Sequence, residues 1–167
     1  MKRSIILILH LGYWLLYFLL LALFFFIIGL QAEKSSNFNL WAALPLIILC
    51  VLPNLLSFYL YYSLIFTRFF SQQEFVLASI FGGLLSLATA IFALVISLFL
   101  FGLNQPIFSN AADFFPMLAS FFLLATIHGG IALVIRGFIT WFDEIRLKEE
   151  LTKKNYETEM ALLKSQL

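Results

Sequence analysis

The sequence has little charge, and most of its charged side chains lie near one end. Charged residues make up 11% of the chain, whereas hydrophobic residues make up 63% and aromatic residues 18%. A soluble domain carries about 25% charged residues, so this composition excludes an ordinary water-soluble fold. The formal net charge of +1 also argues against nucleic-acid binding, which needs a clustered basic surface. We predict an integral membrane protein whose main partner is the lipid bilayer.

Cysteine and histidine are scarce, and this limits the chemistry that the chain can carry. Cys50 is the only cysteine, so a disulfide within one chain is excluded. His10 and His128 are the only histidines, and both fall in apolar runs that contain no acid. Two imidazoles can bind a metal or respond to protons, but a metal site normally needs more ligands. Hydrogen-bonded structural histidines are the favoured interpretation, and no catalytic, cofactor-binding or metal-binding residues are predicted in this segment.

Long apolar runs predict an all-α membrane protein, a bundle of four transmembrane helices. The first run has 26 residues, too many for the apolar region of a signal peptide and enough to cross about 30 Å of hydrocarbon. Residues 1–141 are predicted to form the transmembrane domain. Its spans cover about 5–30, 40–66, 75–103 and 116–141.

The distribution of cations predicts the orientation. Lysine and arginine accumulate on the cytoplasmic side of membrane proteins. One side of the predicted bundle carries Lys2, Arg3, Arg68, Arg136, Arg146, Lys148, Lys153 and Lys154, and the other carries Lys34. Both termini are therefore predicted to be cytoplasmic.

Small residues mark predicted contact faces on the last two spans. Because lipid provides no hydrophobic drive between helices, small side chains that allow close packing are typical of helix interfaces. The third span carries Ser79, Gly83, Ser86, Ala90, Ala93 and Ser97 at spacings of 3 and 4, and the fourth carries Thr126, Gly130, Gly137 and Thr140. We predict that these faces meet, or that one of them forms a dimer contact. The alternative is that small residues are simply common in membrane helices.

The second span contains two prolines and a polar residue. Pro45 and Pro53 each remove a helical hydrogen bond and should bend the span, either as a hinge or as a static kink. Asn54 lies deep in the span and needs a partner there, which we expect to be a freed backbone carbonyl or another helix. Tyr59, Tyr61 and Tyr62 near its end are typical of an interfacial aromatic belt.

Residues 142–167 are predicted to form a cytoplasmic, coiled-coil-like amphipathic helix. Its apolar seam consists of Tyr156, Met160, Leu163 and Leu167. Leu147 and Leu151 lie in a different phase, and such a shift locally unwinds a coiled coil. The helix could switch between two packings or remain an ordinary solvated helix. Because it contains no stop signal near Leu167, we expect the native chain to continue.

The last residues resemble a segment of a known family. Leu163-Lys164-Ser165-Gln166-Leu167 is similar to LKAQI, which precedes the phosphoacceptor motif NPHFLFN in LytS-type sensor histidine kinases. The resemblance implies an N-terminal membrane region of such a kinase, in the bacterial inner membrane, with its kinase core beyond Leu167. It further implies a homodimer, ATP and Mg²⁺ bound by that core, and phosphotransfer to a LytTR-type response regulator.

Three functions are weighed on this basis. The leading hypothesis is a membrane anchor, dimerisation and sensor region that passes a signal through the C-terminal helix to a kinase core. The second is a standalone four-span membrane protein, such as a transporter component or an assembly factor, which would need a polar pathway through the bundle. The third is a membrane enzyme that uses the two histidines, and it lacks accompanying acids or ligands.

Overall fold

The computed structural model describes residues 3–32, 40–101 and 111–166, and these ranges are helical apart from one short turn. Helix α1 covers Arg3–Ala32, α2 covers Leu40–Leu60 and continues as a π-helix over Tyr61–Phe70, α3 covers Phe75–Phe101, and α4 covers Ala111–Gln166. The ranges contain no strand. All four helices are long and apolar enough to cross a membrane. The prediction of an all-helical protein with four such helices is confirmed.

The helix bounds differ from the predicted spans in α1, in the second span and in α4. Helix α1 extends two residues beyond its predicted span at each end. Helical structure in the second span continues to Phe70, four residues beyond the predicted end. The predicted end of the third span at 103 lies outside the described residues. Helix α4 begins at Ala111 and contains Pro116. A proline this close to the start removes one hydrogen bond without ending the helix.

A four-residue turn, Ser71–Glu74, reverses the chain between the π-helix and α3. Gln73 has a φ of 63°, in the left-handed region that terminates helices. The backbone N–H of Glu74 donates to the Phe69 carbonyl at 3.0 Å, and that of Ser71 donates to the Phe66 carbonyl at 2.9 Å. The shortness of this connection makes the second span and α3 adjacent antiparallel neighbours.

Helices α2, with its π-helical continuation, α3 and α4 form the core, and α1 packs against its side. The buried face of α3 consists mainly of small residues, which let α2 and α4 approach closely. Its buried residues are Ala78, Gly82, Ser86, Thr89, Ala90, Ala93, Leu94 and Ser97. By contrast, none of the α1 side chains that the structure describes is fully buried. Helix α1 instead meets the core through large aromatic rings.

Helix α4 extends well beyond the bundle. Its 56 residues span about 84 Å, more than twice the thickness of the hydrocarbon core. Beyond Phe142 nearly every described side chain is exposed. Arg146–Glu150 at 3.1 Å and Lys153–Glu157 at 3.9 Å are ion pairs within the helix. The coiled coil of this segment stays a prediction: Tyr156, Met160 and Leu163 are exposed in the single chain, and Leu167 lies outside the described residues.

Candidate functional site

A buried tyrosine joins the second span to both α3 and α4. Tyr61 is the first residue of the π-helix and only 5% of it is exposed. Its hydroxyl donates to the Gly82 carbonyl at 2.5 Å and bonds to the Ser86 hydroxyl at 2.7 Å. Because a carbonyl can only accept, the tyrosine proton goes to Gly82 and Ser86 donates to the tyrosine oxygen. The single hydroxyl proton of Thr126 on α4 is shared between the Phe122 carbonyl at 2.8 Å and Ser86 at 3.0 Å, so a chain of hydroxyl contacts connects the three helices.

Two glycines make room for the Tyr61 ring. A Cβ atom at Gly129 would lie 2.5 Å from Cδ2 of Tyr61, and one at Gly82 would lie 3.1 Å from its hydroxyl oxygen. Both glycines are buried. Tyr61 was predicted to belong to an interfacial aromatic belt, and its ring is in fact buried between helices. Gly82 and Gly129 were not among the predicted contact residues. A signal was present, since an adjacent glycine pair occurs in each of the last two spans.

An aromatic layer attaches α1 to the core. Its residues recur at spacings of 3, 1 and 3 on one side of α1: His10, Tyr13, Trp14 and Tyr17. Tyr13 stacks on the fully buried ring of Phe58, with centroids 4.8 Å apart and planes at 15°, and Trp14 meets the same ring edge-on at 5.5 Å. Each aromatic pair of this kind contributes about 0.5–1.5 kcal/mol beyond its buried area. Rings, rather than close backbone contacts, therefore hold α1.

Asn54 has partners on its own helix and on α1. Its amide nitrogen donates to the Cys50 carbonyl at 2.6 Å and to the Tyr17 hydroxyl at 3.1 Å, while Tyr17 donates to the same carbonyl at 2.7 Å. Pro53 lacks the N–H that would bond the Leu49 carbonyl, so the carbonyl freed by the proline is that of Leu49 and not that of Cys50. One turn further on, Ser57 donates to the Ala125 carbonyl of α4 at 2.7 Å. These bonds satisfy polar groups that lipid could not solvate.

His128 is buried beside α1 with only one ring nitrogen bonded. The residue is 4% exposed, and its ring lies 4.8 Å from that of Tyr17 at 89°. Nδ1 donates to the Leu124 carbonyl at 2.8 Å. Because that carbonyl can only accept, the neutral ring carries its proton on Nδ1 and presents a lone pair at Nε2. Neither His128 Nε2 nor the neighbouring Trp14 Nε1 has a hydrogen-bond partner among the described residues.

The two histidines occupy separate environments. His10 stacks on Tyr59 with centroids 5.8 Å apart and meets Tyr62 edge-on at 4.7 Å, whereas His128 contacts Tyr13 and Tyr17. The described ranges hold no group of three or more histidine, cysteine or acidic side chains that could bind a metal ion. Each imidazole therefore has its own set of aromatic neighbours.

Arg136 is held by aromatic rings where α4 approaches the end of the bundle. Its Nη1 donates to the Tyr62 hydroxyl at 3.0 Å. The guanidinium carbon lies 4.9 Å from the Tyr62 centroid and 5.9 Å from that of Phe66. Such cation–π contacts are worth roughly 0.5–2 kcal/mol. They tie the membrane part of α4 to the second span.

The small residues of the two predicted contact faces differ in how deeply they are buried. On α3, Ser86, Ala90, Ala93 and Ser97 are buried, whereas Ser79 is exposed and Gly83 is half-buried. On α4, Gly130 and Gly137 border an apolar groove, lined also by Phe70, Leu133, Val134, Phe138 and Trp141. A Cβ atom at Gly130 would meet nothing within 4 Å. This part of the α4 face is thus open in the single chain.

Among the interior polar residues described above, Arg136 is the one that carries a charge. The hydroxyls, the Asn54 amide and the His128 imidazole bond chiefly to one another and to backbone carbonyls. Such an arrangement fixes the relative positions of helices in lipid.

Comparisons of the chain with protein-family models, with curated proteins and with solved structures find no match.

Proposed function

We propose that the chain is the membrane anchor, dimerisation and sensor region of a two-component histidine kinase. The observation that carries the proposal is the continuity of α4, which runs without interruption from Ala111 in the apolar bundle to Gln166 in the exposed charged segment. A helix transmits rotation and tilt along its length far better than a flexible linker does. One element therefore belongs both to the bundle and to the exposed charged segment, which the proposal assigns to the cytoplasmic side.

The contacts of α4 within the bundle give it a defined rotational position. Ser57 bonds to its backbone at Ala125, Tyr61 packs on Gly129, and Tyr62 holds Arg136. All three partners lie within six residues of each other on the second span. A change in that span would shift α4, and the exposed segment would move with it.

The resemblance of residues 163–167 to LytS-type kinases indicates the proposed target of the signal, a kinase core. Leu163–Leu167 corresponds to the helix that precedes the phosphoacceptor motif, so the kinase core with its ATP and Mg²⁺ would follow directly. Both termini are then cytoplasmic, in the bacterial inner membrane, and the response regulator is of the LytTR type. The exposed apolar seam at Tyr156, Met160 and Leu163 would pair with that of a second copy in a homodimer.

The first test is the reading frame that follows Leu167 in the gene. An Asn-Pro-His-Phe continuation, followed by an ATP-binding region, supports the proposal. A stop codon at that point overturns it, and the standalone four-span protein becomes the better hypothesis.

The second test concerns the phase of the exposed helix. Deleting Thr152–Asn155 from the full-length gene product removes four residues between Leu151 and Tyr156, which is not a whole heptad. We expect autophosphorylation with labelled ATP in inverted membrane vesicles to change severalfold. The control inserts a second copy of residues 149–155, a full heptad, and should leave the activity near that of the parent. Equal activity of the parent and the deletion variant would refute phase-dependent signalling.

A further inference from the structure

An apolar groove of 620 Å³ lies between the π-helix and α3 on the outside of the bundle. Its floor is formed by buried Ile65 and by the rings of Phe69 and Phe81, which stack with centroids 4.8 Å apart and planes at 7°. Exposed Leu64 and Leu84 form its sides. The groove therefore has an aromatic floor and walls that are exposed on the outside of the bundle.

The depth of the groove matches one leaflet. Its deepest lining residue on α3, Leu85, lies ten residues from Phe75 at the start of that helix, or about 15 Å along its axis. This is half of the roughly 30 Å hydrocarbon thickness. With Phe75 at the membrane boundary, the lining residues on α3 lie about 9–15 Å deep, within one leaflet.

A single cation lines the groove at its outer end. Arg68 lies three residues before the polar turn Ser71–Glu74, is exposed, and belongs to the groove lining. It forms no ion pair with any residue that the structure describes, Glu74 included. Arg68 therefore presents an uncompensated positive charge where lipid headgroups begin.

We propose that this groove binds an anionic phospholipid, with one acyl chain along the Phe69–Phe81 floor and the headgroup phosphate on Arg68. A guanidinium binds phosphate through paired N–H donors. A zwitterionic headgroup has the same phosphate, but its own cation offsets that charge and weakens the attraction to Arg68. The charge is what distinguishes this groove from the other apolar groove beside the π-helix. That second groove, which Phe70 shares with α4, has no charged lining residue.

The test compares two lipids with identical acyl chains. The full chain, delipidated in detergent, is titrated with phosphatidylglycerol or with phosphatidylcholine, and the first lipid bound is quantified by native mass spectrometry. We expect phosphatidylglycerol to bind about fivefold more tightly, the effect of one favourably placed cation near the membrane surface. Arg68→Gln should abolish this preference and Arg68→Lys should retain most of it. Leu84→Trp, which fills the groove, should weaken the binding of both lipids.

Two matched variants control for charge and bulk elsewhere. Arg146→Gln removes a cation from the exposed part of α4, and Val134→Trp adds bulk to the uncharged groove; both should leave the preference for phosphatidylglycerol unchanged. The proposal is overturned if Arg68→Gln keeps the preference, or if Arg146→Gln lowers it equally. It is also overturned if millimolar inorganic phosphate displaces the lipid, since the ligand would then be phosphate and not a phospholipid.

Discussion

At the scale of single residues, Tyr61 determines how closely three helices can approach. A tyrosine is a large side chain to place between two helices in lipid, where close backbone packing is the main attraction. Glycines on both walls remove the steric obstacle, and the hydroxyl reaches the Gly82 carbonyl and Ser86. The ring thus fills the space that the glycines leave, and its polar end is satisfied.

Replacing either of the two adjacent glycines on α4 with alanine should change the stability of the protein, but in opposite directions. At Gly129 an added methyl group would overlap the Tyr61 ring, whereas at Gly130 it would meet open space. We expect Gly129→Ala to lower the free energy of unfolding by about 1–3 kcal/mol through overpacking. Gly130→Ala should be neutral or stabilising by up to about 1 kcal/mol, since alanine is the better helix former. Thermal unfolding in detergent micelles measures both.

A second substitution distinguishes overpacking from a general effect of glycine. Gly129→Ala should cost less stability in a Tyr61→Leu background than in the parent, because the smaller side chain leaves room for the methyl group. Equal shifts for Gly129→Ala and Gly130→Ala would show that the contact with Tyr61 does not limit the packing of α4.

At the scale of elements, the π-helix is the feature that departs most from regular geometry. Its wider turn changes which side chains share a face, and Tyr61, Ile65 and Phe66 are buried together. Hydroxyls spaced by four residues support it from the outside: Ser63 donates to the Tyr59 carbonyl at 2.7 Å, Thr67 donates to the Ser63 carbonyl, and Ser71 donates to the Thr67 carbonyl at 2.9 Å. These side chains give the carbonyls additional donors.

The number of helices could be predicted from the sequence, whereas the contact faces could not be assigned in full. Apolar runs of membrane length leave little choice but a helix, because lipid cannot solvate an unpaired backbone. The face is harder to assign where small residues come in adjacent pairs, as in Ala78-Ser79, Gly82-Gly83 and Gly129-Gly130. A spacing of 3.5 selects Ser79 and Gly83, but Ala78 and Gly82 are the buried members. Only the position of Tyr61 decides between them.

The π-helix was also beyond prediction from the pattern. Aromatic and aliphatic residues occupy nine of the twelve positions from Tyr59 to Phe70, so a period of 3.6 and a wider one fit about equally well. Asn54 was more informative, because a polar amide in an apolar span requires a partner. The identity of that partner, Tyr17 on α1, depended on tertiary packing.

The turn between the π-helix and α3 carries a side chain in an unfavourable conformation. Gln73 adopts a φ of 63°, which suits glycine and is uncommon for other residues. We expect Gln73→Gly to be neutral or to stabilise the protein by up to about 1 kcal/mol, and Gln73→Val to destabilise it by about 1–2 kcal/mol. Gln72→Gly, at a turn position without positive φ, should be mildly destabilising. Thermal unfolding of the three variants checks the order, and a stabilising Gln73→Val would contradict it.

At the scale of the whole molecule, the protein consists of a close-packed core, a peripheral helix and a long projection. The second span, α3 and α4 meet through small residues, Tyr61 and buried hydroxyls, whereas α1 is attached by the His10–Tyr17 aromatic layer. Apart from the Tyr17 bonds to Cys50 and Asn54, α1 is attached through rings, so we expect it to shift more readily than the close-packed helices. Its movement would be felt at His128 and Asn54, which contact it from α4 and α2.

The projection should behave as a stiff rod over its whole length. Spin labels at Glu144 and Ser165, introduced in a Cys50→Ala background and diluted with unlabelled chain, are 21 residues apart on α4. A continuous helix places their backbones about 32 Å apart, whereas a flexible chain of that length has a broad distribution centred near 25 Å. Double electron–electron resonance should give a narrow peak near the larger value, and Lys148→Pro should broaden it by interrupting the helix. A broad distribution in the parent would mean that α4 cannot carry motion out of the bundle, and the proposed coupling to a kinase core would then lose its physical basis.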